Sequence, residues 1–104
     1  MRRLAEARSL AYHAAVSARL RADPTLMSRV EERVHAWERR HVVSSYYSEA
    51  WKTILAQPLD EIIAFLADSG DYARELRQVS PFAGVIDARE RWRIWREVTT
   101  HFSA

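Results

Sequence analysis

Apolar residues recur at helical spacing along almost the whole chain, and the strict alternation of a half-buried strand is absent. A first helix is expected over residues 3–22, with Tyr12, Val16 and Leu20 at i, i+4 and i+8. Beside them runs a small-residue seam of Leu4, Ala7, Ala11, Ala14 and Ala18. Alanine favours the helix but gives it a light apolar face. Asp23-Pro24 then marks a new start, since Asp accepts from free amides and Pro suits the first helical position. The second helix runs to about His41 on a stripe of Leu26, Val30, Val34, Trp37 and His41. Ser44 or Ser45 caps a third, which carries Tyr47, Trp51, Ile54 and Leu55 and stops at Gln57-Pro58.

A fourth helix over 59–67 buries Leu59, Ile62, Ile63 and Leu66. The turn Asp68-Ser69-Gly70-Asp71 leads into a fifth over 72–79, with Tyr72, Leu76 and Val79 inward. Ser80-Pro81-Phe82-Ala83-Gly84 reads as a corner with Phe82 plugged into the core and Gly84 at positive φ, or else as a recognition loop. Asp87 followed by Glu90 resembles a capping box. It opens a sixth helix carrying Trp92, Trp95, Thr99 and Phe102.

This pattern predicts an all-α fold, a compact bundle of five to six short helices in one domain spanning 1–104. Residues 1–22 form the N-terminal helix, either packed on the bundle or free as a partner-binding arm, and 23–104 form the helical core. The expected core is Leu26, Val30, Val34, Trp37, Trp51, Ile54, Leu55, Ile62, Ile63, Leu66, Leu76, Trp92 and Trp95. A hydrophobic content of 48% over 104 residues supports a folded domain, though a thin-cored one.

The chain has no cysteine, which removes disulfides, thiolate metal sites and a cysteine nucleophile. No apolar stretch approaches the roughly 20 residues of a membrane span. Met1-Arg2-Arg3 is followed by Leu4-Ala5-Glu6-Ala7-Arg8 rather than by an apolar run, so export is not expected and a cytoplasmic location is.

Candidate chemistry thins out on inspection. Glu32/His35 and Glu38/His41 both have the Glu-x-x-His spacing of di-iron bundles. Both lie on one helix, six residues apart, so at about 100° per residue they point about 120° away from each other. Ser44 and Ser45 near His41 lack the strained nucleophile turn of a hydrolase, and no glycine-rich phosphate loop exists. The expectation is a non-enzyme without cofactor or metal.

Charge offers more. Net charge is +2, but residues 1–22 carry five arginines against Glu6, a local +4. Residues 44–70 are −3 and residues 89–104 are +2. Basic ends around an acidic middle can pair within the fold or face an acidic partner. On the sixth helix Arg89, Arg93 and Arg96 share a face beside Trp92, Trp95, Thr99 and Phe102. One reading is a docking ridge, because Arg and Trp dominate interface hot spots. The other puts the tryptophans in the core with arginines laid over them. The candidate partner-binding residues are Arg2, Arg3, Arg8 and Arg19 on the first helix and Arg89, Arg93 and Arg96 on the sixth. A protein partner is expected, and a homodimer stays open. DNA binding through residues 59–79, with Arg74, Arg77 and Gln78 on a recognition helix, is the alternative. The net acidity of residues 44–79 disfavours it.

The run Leu76-Arg77-Gln78-Val79-Ser80-Pro81-Phe82-Ala83-Gly84-Val85-Ile86, with Arg89-x-Arg91-Trp92-Arg93-Ile94-Trp95-Arg96, resembles the C-terminal block of small Arg/Ala-rich bacterial proteins. Arg8-Ser9-Leu10-Ala11-Tyr12-His13 and Asp23-Pro24 are also similar. Proteins of that kind are antitoxin-like partners of nucleotidyltransferase-type toxins. The resemblance implies a chain that binds a cognate toxin enzyme and occludes its active site. It brings no functional residues with it.

Overall fold

The computed structural model describes residues 2–103, with side chains over 3–102. Six α-helices and one 3-10 turn follow in order: α1 (Arg2–Ala22), the 3-10 turn (Pro24–Leu26), α2 (Met27–Arg40), α3 (Ser45–Leu55), α4 (Leu59–Ala67), α5 (Asp71–Arg77) and α6 (Ala88–Ser103). The fold is an all-α bundle, and none of its described helices is long and apolar enough to cross a membrane.

Local signals set the boundaries. Asp23 Oδ1 accepts the Thr25 amide at 3.2 Å, and Ser44 Oγ accepts that of Tyr46 at 3.2 Å. Asp87 Oδ1 accepts the Glu90 amide at 2.8 Å. The capping box is only half made, because the Glu90 carboxylate pairs with Arg19 on α1. Its reach across the bundle staples the start of α6 to α1. His41 departs from expectation: it is exposed and closes α2 in the left-handed conformation, φ 52°, rather than extending the core stripe.

α1 is the spine. It packs against α6, α4 and the 3-10 turn, while α2 pairs with α3 and α4 with α5. His13, Val16, Ser17 and Leu20 are buried, the i, i+3, i+4, i+7 set of one face. The helix is therefore docked on the bundle and is not a free arm. Val16 and Leu20 join Val30, Val34, Trp51, Ile54, Leu55, Ile62, Leu66, Leu76, Phe82, Val85 and Ile86 in one core.

The loop after α5 closes this core from the side. Phe82 is fully buried, meeting Trp51 edge-on at 5.5 Å between ring centroids. Three side chains fasten the loop. Tyr12 Oη donates to the Phe82 carbonyl at 3.1 Å, and Trp51 Nε1 to the Val79 carbonyl at 2.7 Å. His13 Nε2 lies 2.9 Å from Ser80 Oγ. Gly84 turns the chain at φ +95°, a conformation that costs a side-chain-bearing residue about 1–2 kcal/mol. An added Cβ would meet only Arg33 Nη2, at an ordinary 3.6 Å. Gly84→Ala is therefore expected to lower stability by about that backbone cost alone, measured as a shifted urea midpoint with unchanged slope.

Of the expected core residues, Leu26 and Trp37 are only half-buried at its edge, and two are in solvent. Trp92 is 54% exposed and Trp95 38% exposed. α6 is turned so that Ile94 and Val98, half-buried, face the bundle together with Glu90. Tyr72, read as inward, is also exposed, and α5 ends at Arg77 rather than Val79.

Candidate functional site

The turn of α6 leaves an aromatic surface in solvent. Trp92 and Trp95, three residues apart, stack with ring centroids 5.0 Å apart and planes 11° from parallel. The Arg8 guanidinium from α1 sits 3.8 Å from the centroid of the Trp95 ring, a cation–π contact. Arg8 is held there by its Nη2, which donates to Thr99 Oγ1 at 2.8 Å. Phe102, 47% exposed, continues the strip about two turns on. Indoles left in water at this density forgo burial, and such patches mark interaction surfaces.

Beside the strip lies an open cleft of about 350 Å³ between α1, α6 and the start of the Ser80 loop. Arg8, Arg77, Arg91, His13, Ser80 and Trp95 contribute to its lining. The fold positions them through three elements: α1 presents Arg8 and His13, α6 presents Arg91 and Trp95, and the end of α5 brings in Arg77. Sequence reasoning set Arg77 on a DNA-facing helix; the structure buries it, leaving 4% exposed. It falls at i+4 from Ala73 and next to Leu76, on the inward face of α5. Its Nη1 donates to the carbonyls of Asp68 at 2.6 Å and Leu66 at 3.3 Å, closing the C-terminal end of α4. Its Nε and Nη2 are sealed from solvent without a hydrogen-bond partner. Burial pulls the Arg77 guanidinium below its ordinary value, opposed by the charges of Glu6 and Asp68.

His13 was also missed. It is buried at the floor of the same cleft, edge-on to Tyr12 and Phe82. Its Nδ1 lies 2.7 Å from the Ser9 carbonyl. A carbonyl only accepts, so Nδ1 carries the proton and Nε2 accepts from the Ser80 hydroxyl. Burial lowers its pKa to about 4; the Ser9 hydrogen bond works against that, and the charge of Arg77 adds to it. The ring is therefore neutral at pH 7. Both ring nitrogens are thus engaged, Nδ1 by the Ser9 carbonyl and Nε2 by the Ser80 hydroxyl. Among the described residues, no three His, Asp or Glu side chains gather as metal ligands would.

The sequence-derived partner residues are scattered by the fold. Arg8 belongs to the cleft and the aromatic strip. Arg19 is tied to Glu90, and Arg93 lies between Glu97 at 3.0 Å and Glu90 at 3.8 Å. Arg89 and Arg96 are exposed, and among the described residues neither forms an ion pair. Arg3 is exposed on the first turns of α1, and the side chain of Arg2 lies outside the described residues. Arg74, a candidate for DNA contact, is engaged by Glu6 at 3.2 Å and Asp71 at 3.3 Å. No protein-family model, curated protein or solved structure matches the chain.

Proposed function

We propose that this protein is a non-catalytic interaction module that docks an acidic surface of a partner protein onto the exposed face of α6. The observation that carries the reading is the Trp92–Trp95 stack standing in solvent. Arg8, Arg89, Arg91 and Arg96 surround it without ion pairs among the described residues, so the complementary surface is acidic. Trp and Arg together are the residues that dominate interface energetics, and the Arg8 contact pre-orders one indole before any partner arrives. Arg93, held within α6, contributes less than its position on the ridge suggests. The antitoxin-like role is the form of this module that the resemblance favours: occlusion of a toxin enzyme by a rigid helical face.

The test is co-expression with the product of the neighbouring gene. Expected is growth arrest by that product alone, relief on co-expression of this chain, and a stable complex on gel filtration. Trp92→Ala with Trp95→Ala should weaken the complex about a thousandfold, taking about 2 kcal/mol for each hot-spot indole. Both side chains are exposed, so the double variant should fold normally by circular dichroism. Full relief by the double variant would remove the α6 face from the reading. Self-association of the isolated chain, lost in the same variant, would replace the acidic partner by a second copy. Binding that instead falls steeply with salt and requires duplex DNA would favour the DNA-binding alternative.

A further inference from the structure

We propose that the cleft between α1, α6 and the Ser80 loop binds a phosphate monoester of a small organic molecule. This stands apart from the docking reading and does not need a protein partner. Three guanidinium groups, Arg8, Arg77 and Arg91, line the cleft with no carboxylate among its lining residues. Glu6, whose charge reaches Arg77, lines an adjoining cleft and pairs with Arg74 at 3.2 Å.

The second observation is independent of this charge count. A buried guanidinium with idle N–H groups is costly, and native interiors seldom keep one without a reason. Arg77 keeps two such nitrogens, Nε and Nη2, and Arg8 keeps its Nε, all three sealed from water. These two arginines reach the cleft from different helices, α5 and α1. Both side chains line the cleft, and a bound oxyanion there is the partner assigned to these idle donors.

The surroundings select the ligand class. Guanidinium forks bind carboxylate and phosphate alike, but three guanidinium side chains around a cleft whose lining holds no carboxylate favour the dianion. His13 brings no further charge, since it is held as the neutral tautomer by Ser9 and Ser80. A bare phosphate would fill little of a cleft of about 350 Å³, a size in the range of small-molecule sites. Beside Ser9 and Tyr12, its lining includes the apolar side chains of Ala5, Ile94 and Trp95, which suit the organic part of an ester.

Phenyl phosphate is the probe, with inorganic phosphate and benzoate as comparisons, followed by amide and indole NMR shifts of the full chain. Expected are saturable shifts at His13, Ser80 and the Trp95 indole. Phenyl phosphate should bind more tightly than either comparison ligand. Arg91→Gln and Arg8→Gln should each weaken binding about tenfold or more, the cost of one charge-assisted contact. Arg29→Gln, exposed on α2 and outside the cleft, should leave it unchanged. Arg77 also closes α4, so the exposed Arg91 and the half-buried Arg8 are the informative positions. No shift at these residues with millimolar phenyl phosphate would overturn the proposal, as would binding indifferent to both cleft variants. Equal binding of benzoate would overturn the phosphate assignment, and equal binding of inorganic phosphate the ester.

Discussion

Trp51→Ala is expected to be the most destabilising single substitution of an uncharged residue in this chain, costing about 3–5 kcal/mol. Trp51 is fully buried and joins three parts of the bundle. Its ring meets Phe65 of α4 at 5.9 Å and Phe82 of the closing loop at 5.5 Å, both edge-on. Its Nε1 donates to the Val79 carbonyl at 2.7 Å. Truncation removes the aromatic area, opens a cavity and leaves that carbonyl unpaired where water reaches it poorly. A chain of this length carries about 5–15 kcal/mol of total stability, so the loss is a large share of it. Chemical denaturation should show the midpoint falling by that amount. Trp51→Phe should recover the ring packing but not the hydrogen bond, and so fall between the two by about 1 kcal/mol from wild type or somewhat more. A loss below about 1 kcal/mol for Trp51→Ala would mean the loop is not anchored through this residue.

Much of this architecture is legible in the sequence because its signals are local. Asp23-Pro24, Ser44, Pro58 and Asp87 each act within one turn of chain, and each marks a boundary within a residue or two of the observed one. The stripes of α2, α3 and α4 are equally plain, because only one face of each helix is apolar. Val30, Val34, Trp51, Ile54, Ile62 and Leu66 are buried as expected.

α6 shows where this reasoning stops. It carries two helical stripes about 100° apart, one with Trp92, Trp95 and Phe102 and one with Glu90, Ile94 and Val98. Weight of hydrophobicity selects the first. The bundle selects the second: Glu90 pairs with Arg19 of α1, and Ile94 packs against the core. Choosing between stripes needs the shape of the opposing helix, which no local pattern contains.

The cleft residues were hidden for a different reason. His13 and Arg77 are polar residues on buried faces, and polarity alone assigns them to solvent. A signal existed at each: His13 precedes Ser17 and Leu20 at i+4 and i+7, and Arg77 follows Ala73 and adjoins Leu76. Reading these faces by position rather than by residue type places both inside. The mismatch is sharpest at Arg77, a charged group held on an inward face against its solvation.

His13 makes that mismatch measurable as a pH dependence. In the unfolded chain its imidazole titrates near the ordinary 6.5, and in the fold at about 4. The native state binds the neutral form, so between these values the unfolded chain holds more protons and stability falls as pH falls. The contribution is complete above pH 6.5 and is lost progressively down to pH 4, by about 1.4 kcal/mol per unit or about 3 kcal/mol in all. A stability curve sums over every titrating group, so the slope must be read against a variant. His13→Gln removes the titrating group, and Gln can still hydrogen-bond toward Ser9 or Ser80. The variant should be less stable than wild type at pH 7, because the edge-on contacts with Tyr12 and Phe82 are lost. Its stability should change much less between pH 6.5 and 4.5, so the two curves converge or cross under acid. Parallel curves would place the imidazole in water rather than beneath the Ser80 loop. Direct titration of the His13 ring by NMR, still neutral at pH 5, would supply the same answer without relying on the stability of either protein.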